Sequence, residues 1–118
     1  MIVAGFGFRA GTRTDSLRDA LARAGGTPDA LATAADKAPA LGGLSDALGL
    51  PVIAVRPADL TAQRTTTTSA ASTTARGTGS VAEAAALAAA GPGARLLAPR
   101  AISTDRRATC ALAEGPDP

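Results

Sequence analysis

Ile2-Val3-Ala4-Gly5-Phe6-Gly7-Phe8-Arg9-Ala10-Gly11-Thr12-Arg13-Thr14-Asp15-Ser16 is the stretch whose reading sets the fold class. Ile2 to Phe6 is a short apolar run ending among glycines, which reads as a buried strand. Gly7 to Thr12 is the loop after it, and Thr14-Asp15-Ser16 supplies a polar helix start. Leu17, Ala20, Leu21 and Ala24 then fall at i, i+3, i+4 and i+7, one face of a helix. Gly25-Gly26 ends it in the usual place for a left-handed cap. Strand, glycine loop and helix in that order open an α/β domain.

The pattern repeats downstream. Ala30 to Ala34 reads as a second strand. Pro39 opens a second helix, where its missing N–H costs nothing; the helix carries Leu41, Leu44 and Leu48 and stops at Gly49. Val52-Ile53-Ala54-Val55 is a clear strand, and Pro57 to Leu60 could form one helical turn. Residues 61–79, with Thr65-Thr66-Thr67-Thr68 at their heart, are polar and aperiodic, so a flexible loop is expected there. Ser80 and Glu83 form a capping box for a third helix that runs through Ala90. Arg95 to Ala98 and Ala108 to Ala113 read as closing strands.

The expected product is one domain over residues 1–114 followed by a tail, 115–118. Alternating strands and helices imply a mostly parallel sheet with helices on both faces. Pro99 to Arg107 is too short for a helical crossover, so the last two strands should be antiparallel and the sheet mixed.

Composition narrows the chemistry. The chain has 118 residues, 12 Lys+Arg, 10 Asp+Glu, one Cys and no His, Trp or Tyr. Without histidine there is no Ser-His-Asp triad, no Cys-His dyad, no imidazole base and no His-ligated metal. A single Cys makes neither an intrachain disulfide nor a Cys-rich zinc site. Two Phe alone provide no stacking platform for single-stranded nucleic acid, and a net charge of +2 is a weak footprint for a duplex. No apolar run is long enough for a signal-peptide core or membrane span, and the unpaired Cys110 suits a cytoplasmic protein. Leu, Ile, Val and Phe together supply only 21 residues, and most other apolar positions are Ala. Helices packed closely through Ala are therefore expected. Every basic residue except Lys37 is Arg, the planar fork that grips carboxylates and phosphates in pairs.

Two glycine loops are candidate anion sites, because a helix start offers free N–H groups and partial positive charge. In the first, Gly7 and Gly11 permit a close turn while Arg9 and Thr12 add donors. Gly5-x-Gly7-x-x-Ala10 formally matches a dinucleotide fingerprint. The match ends there, since Asp29 precedes the second strand and Asp36 follows it. The second loop is Gly77 to Glu83, where Gly79 and Ser80 would face a ligand. Lys37, directly after the second strand, is a third candidate, to be weighed against a solvated surface charge. Cys110, in an apolar run with no activating base, reads as a small buried hydrophobe.

Several segments together resemble one family. Gly5-Phe6-Gly7-Phe8-Arg9-Ala10-Gly11-Thr12 resembles its opening G-x-G-x-R-x-G-[TA] segment. Ala34-Ala35-Asp36-Lys37 is similar to its Asp-x-Lys segment, without the intervening residue. Leu48-Gly49-Leu50-Pro51-Val52, then Ala58-Asp59-Leu60, resembles an LGLP stretch with its following acidic helix turn. Gly79-Ser80-Val81-Ala82-Glu83-Ala84-Ala85-Ala86-Leu87 is similar to its most characteristic helix start. Leu96-Leu97-Ala98-Pro99-Arg100 and Thr109 to Ala113 resemble its closing strands. The family is that of CobE and the CbiG C-terminal domain, from cobalamin (vitamin B12) biosynthesis.

The resemblance implies a single three-layer α/β/α domain with a mixed sheet. It implies binding of a corrin-ring (precorrin) intermediate, whose acetate and propionate groups suit Arg9, Arg76, Lys37 and two amide-lined helix starts. With no extra N-terminal domain, the chain resembles the stand-alone CobE form. The alternatives are a cobalt-precorrin-5A hydrolase of the CbiG type, with Glu83 as the available acid or base, and a module that docks onto precorrin methyltransferases. No cofactor of the protein's own is expected, any cobalt arriving inside the macrocycle. Neither nucleic acid nor a membrane is an expected partner.

Overall fold

The computed structural model describes residues 1–116, with residues 71, 74 and 75 in backbone only. The expected tail lies in part, at residues 117 and 118, outside the described residues. The chain runs β1 (Ile2–Phe8), α1 (Thr14–Ala24), β2 (Ala30–Ala34), a 3-10 segment (Ala35–Leu41), α2 (Gly42–Leu48) and β3 (Val52–Val55). It continues through α3 (Pro57–Thr61), α4 (Ala70–Arg76), α5 (Val81–Ala90), β4 (Arg95–Leu96), β5 (Ala101–Ile102) and β6 (Ala108–Glu114).

The sheet order is β3-β2-β1-β6-β4, with β5 also paired to β6. β1, β2 and β3 are mutually parallel, while β6 is antiparallel to β1, β4 and β5. All strands except β6 therefore point the same way, and the sheet is mixed, as the short last connection predicts.

Alternation along β1 sends its residues to two different cores. Ala4 and Phe6 join Leu17 and Ala20 of α1, Leu31, Leu41, Leu44 and Cys110 on one face. Val3 joins Ala84 and Ala85 of α5, with Val55 and Leu60, on the other. Helices thus cover both faces and make three layers.

Ala and Gly set the spacing of the α5 layer. A methyl group placed at Gly5 would overlap the Ala82 carbonyl oxygen and lie 2.5 Å from the Ala86 nitrogen. The α5 backbone therefore rests directly on β1, which only a strand glycine permits.

Four details differ from the sequence reading. β1 extends through Gly7 and Phe8, because β6 pairs with it along its whole length, from Ile2↔Glu114 to Phe8↔Ala108. Gly7, expected in the loop, is thus a strand residue like Gly5, and the loop begins at Arg9. The second helix is split, with Pro39 inside a 3-10 segment and α2 starting only at Gly42. A residue lacking N–H is easier to place in the tighter turn.

The stretch 61–79 contains α4, capped by Ser69, whose hydroxyl accepts from Ser72 N (3.4 Å), and closed by Gly77 at φ 70°. Its Ala, Ser and Thr residues carry no apolar stripe, so caps rather than periodicity mark it. Finally, the expected strand Arg95–Ala98 is shortened to β4, Arg95–Leu96, and a further short strand not expected from sequence, β5 at Ala101–Ile102, follows beyond Pro99, which cannot donate to a ladder.

Candidate functional site

β6 runs opposite to β1, so its first residues lie beside the last residues of β1. The loop after β1 and the turn before β6 meet there, and Arg9 N donates to Arg107 O (3.4 Å). β2 also ends on this side, and α5 begins on it. Between them lies a cavity of about 570 Å³. That is within the roughly 300–1,000 Å³ common for small-molecule sites. Its place, at the carboxyl ends of parallel strands where strand order reverses, is the usual ligand crevice of open α/β sheets.

The lining is strongly cationic. Arg9, Lys37, Arg76, Arg100, Arg106 and Arg107 all border the cavity, and no Asp or Glu does. Half of the chain's 12 basic residues thus converge on one site, although its net charge is only +2. The acids flanking these residues in sequence are already engaged. Asp36 receives both Arg76 nitrogens, at 2.6 and 2.8 Å. This bidentate contact holds the Asp36 carboxyl below the usual range and raises Arg76. Asp105 accepts from Ser103 Oγ (2.6 Å), from Ser16 Oγ on α1 and from Arg107 N (3.1 Å). Those bonds drive its carboxyl down to about 2.

Of the residues singled out from sequence, Gly7, Arg9 and Lys37 line the cavity. Gly7 is kept small by its surroundings, since a methyl group there would lie 2.9 Å from Thr109 Oγ1 and 3.4 Å from Val81 Cβ. Lys37 Nζ donates to Phe8 O (2.8 Å) and stands 5.1 Å from the centre of the Phe8 ring. The carbonyl and the ring face fix its ammonium at the cavity edge.

Gly11 and Thr12 lie outside the lining and shape the loop instead. Gly11 has φ 80°, and Thr12 Oγ1 donates to Arg9 O (2.6 Å). Gly79 and Ser80 also stand back from the cavity. Gly79 O accepts from Ser69 N (2.7 Å), and a methyl group at Gly79 would sit 2.5 Å from Thr67 O. Ser80 is buried and caps α5, accepting from Glu83 N (3.2 Å).

Glu83 is 0% exposed and is not among the lining residues. Its Oε1 accepts from Thr67 N (2.8 Å), and its Oε2 from Thr67 Oγ1 (2.6 Å) and Arg100 N (2.9 Å). Burial alone would raise its pKa, but these donors outweigh it and hold the carboxyl below its ordinary value. Only the Ser80 half of the expected capping box forms; the carboxylate half is used to tie down two loops. One of those loops leads into α4, whose cap Ser69 and residues Ser72 and Arg76 border the cavity. Ser72 Oγ is buried there without a hydrogen-bond partner.

Sequence reasoning passed over Arg100, Arg106 and Arg107. The run Asp105-Arg106-Arg107 before the last strand was the available signal, but its relevance depends on β6 pairing antiparallel with β1. Among the described residues no group of three or more His, Cys, Asp or Glu could hold a metal ion. No helix there is long and apolar enough to cross a membrane.

Comparison with known proteins agrees with this architecture. The family described as Cobalamin synthesis G C-terminus matches residues 2–113. No curated protein sequence matches the chain. Among solved structures, CobE, a protein from the cobalamin (vitamin B12) biosynthetic pathway, is 38% identical with a TM-score of 0.83. That match covers 96% of this chain and 89% of CobE. The cobalamin biosynthesis protein chiG of Agrobacterium tumefaciens is 37% identical with a TM-score of 0.75, covering 99% of this chain and 100% of the other. A protein described as a cobalamin biosynthesis protein G homolog, from Sulfolobus solfataricus, is 19% identical with a TM-score of 0.72. It is matched over 95% of this chain and 36% of its own, and shows the fold alone. On the strength of the family match over nearly its whole length, the chain belongs to the cobalamin synthesis G C-terminus family and is a cobalamin biosynthesis protein of the CobE/CbiG type.

Proposed function

We propose that the protein binds a corrin-ring (precorrin) intermediate by its peripheral acetate and propionate groups. The observation that carries this reading is the convergence of six basic side chains on one cavity with no carboxylate in its lining. Arginine forks pair with carboxylates in two-point contacts, and several such contacts around a rim would orient a macrocycle that presents acids on its edge. Any cobalt travels inside the macrocycle, and the protein contributes only the grip on its periphery.

The hydrolase alternative needs an acid or base at the ligand. Glu83 stands outside the cavity lining with both oxygens occupied, which favours binding over turnover. We therefore assign Glu83 a positioning role, fixing Thr67 and Arg100 N so that the walls of the cavity stay in register.

A titration with purified hydrogenobyrinic acid, followed by the tetrapyrrole absorbance, tests the proposal. Binding at micromolar concentration or tighter is expected. Arg9→Ala should weaken it by about 1–3 kcal/mol, the cost of losing one charge-assisted contact. An unchanged spectrum with this and with other pathway intermediates would overturn the proposal. Release of acetaldehyde from cobalt-precorrin-5A would replace it by the hydrolase reading.

A further inference from the structure

Arg106, in the turn between β5 and β6, has φ 61°, the one positive φ of a non-glycine residue among those described. In this left-handed region Cβ crowds the following carbonyl, and the position is ordinarily given to Gly or Asn. Hairpin connections of this size often contain such a residue, and glycine is its usual occupant. Here it is an arginine.

The shape of the turn does not depend on that side chain. Ser103 N donates to Ala108 O and Arg106 N to Ser103 O, both at 2.9 Å. Asp105 gathers Ser103 Oγ and Arg107 N, and Ser16 Oγ moors the whole turn to α1. The Arg106 side chain instead borders the cavity. Neither it nor Arg107 forms an ion pair among the described residues. Lys37 and Arg76, on the opposite rim, are by contrast already bound to protein oxygens. A residue kept in a costly backbone conformation, at a cavity and without a partner of its own, marks a place where function outweighs stability.

We propose that the Ser103–Arg107 turn is a carboxylate-recognition element and that Arg106 is its ligand-binding residue, placed by its left-handed backbone at the cavity rim. This deepens the reading of the cavity as a polycarboxylate site and rests on it. Asp105 has its charge satisfied by three donors, so it presents little repulsion to an incoming carboxylate. Arg106 and Arg107 are then two adjacent forks available for one or two acid groups of the ligand.

The test uses Arg106→Gly and Arg106→Asn, two residues that tolerate this φ and lack the guanidinium. Each variant and the unaltered protein are melted and titrated with hydrogenobyrinic acid. The melting temperature should hold or rise by a few degrees, because the strain is relieved. The dissociation constant should rise about 10- to 100-fold, the scale of one lost charge-assisted contact. An unchanged dissociation constant would overturn the assignment of Arg106 while leaving the polycarboxylate reading intact. Weaker binding together with a lower melting temperature in both variants would overturn it too, by making the side chain structural. Failure of the unaltered protein to bind would bring down the polycarboxylate reading, and this assignment with it.

Discussion

α1 and α2 cover one face of the sheet with Leu17 and Leu44, aided by Leu41, whereas α5 covers the other with Ala82, Ala84, Ala85 and Ala86. On the first face the layers are held apart by large side chains, and stability comes from apolar area, roughly 1.5–3 kcal/mol for each fully buried leucine. On the second face α5 itself offers mostly methyl groups, with Val3, Val55 and Leu60 the larger side chains packed there. The helix backbone instead lies on the strand backbone at Gly5 and Gly7, where close packing supplies dispersion contacts. The closely packed face also carries the buried carboxylate of Glu83 and the start of α5 beside the cavity. A low count of Leu, Ile, Val and Phe therefore marks a division of labour, with area on one side and proximity on the other.

Substitutions that add or remove bulk separate the two modes, and the largest effect is expected at Gly5. Gly5→Ala inserts a methyl group against the α5 backbone, which cannot move aside without leaving the sheet. The loss should exceed the ~1–3 kcal/mol typical of overpacking, and thermal melting should show no cooperative transition or a very low one. A melting temperature within a few degrees of the parent would mean that α5 does not rest on β1. Leu44→Ala probes the other face. It should cost ~2–5 kcal/mol by denaturant titration and leave a cooperative unfolding transition. A loss well below that range would show that this face collapses around the gap.

Glu83→Gln is the smallest of the three, at ~1–3 kcal/mol, because the shape is kept while charge-assisted bonds are lost. Its signature is pH dependence. The folded carboxyl titrates below its unfolded value, so the stability it contributes is present above the ordinary carboxylate range. That contribution is lost as pH falls through the lowered folded pKa. The parent should lose stability on acidification through this window, and the variant should lose less. Equal acid sensitivity in the two would show that Glu83 is not held ionised by Thr67 and Arg100. Tetrapyrrole binding that weakens more than stability does would separate positioning of the walls from simple support.

Much of the fold was readable from local pattern. The leucine spacing of α1, the Gly25 cap, the run Val52–Val55 and the Ser80 cap each specify their element from neighbouring residues alone. What escaped depends on contacts distant in sequence. β1 reaches Phe8 only because β6 pairs with it a hundred residues later. α4 has no apolar stripe and is defined by its caps and by the tether from Glu83 to Thr67.

The site divides the same way. Arg9 follows β1 directly and Lys37 stands three residues after β2, so their place at the carboxyl ends could be inferred. Arg106 and Arg107 precede a strand, and only its reversed direction brings them to the same rim. From sequence, Glu83 reads as a partner of the Ser80 cap and as the available acid or base. Its spacing from Ser80 suggested a local cap, whereas the carboxylate reaches Thr67 and Arg100.

The reversed strand also orders events as the chain leaves the ribosome. β6 is an interior strand, and it bridges β1 to both β4 and β5. Until residues 108–114 emerge, β1 presents a full row of unpaired backbone groups along one edge, a template for pairing with other chains. The cationic rim is equally incomplete, since Arg100, Arg106 and Arg107 arrive only with the last strands. Nascent chains should therefore remain open to misassociation until residues 108–114 have emerged, when a single strand closes both the sheet and the cavity.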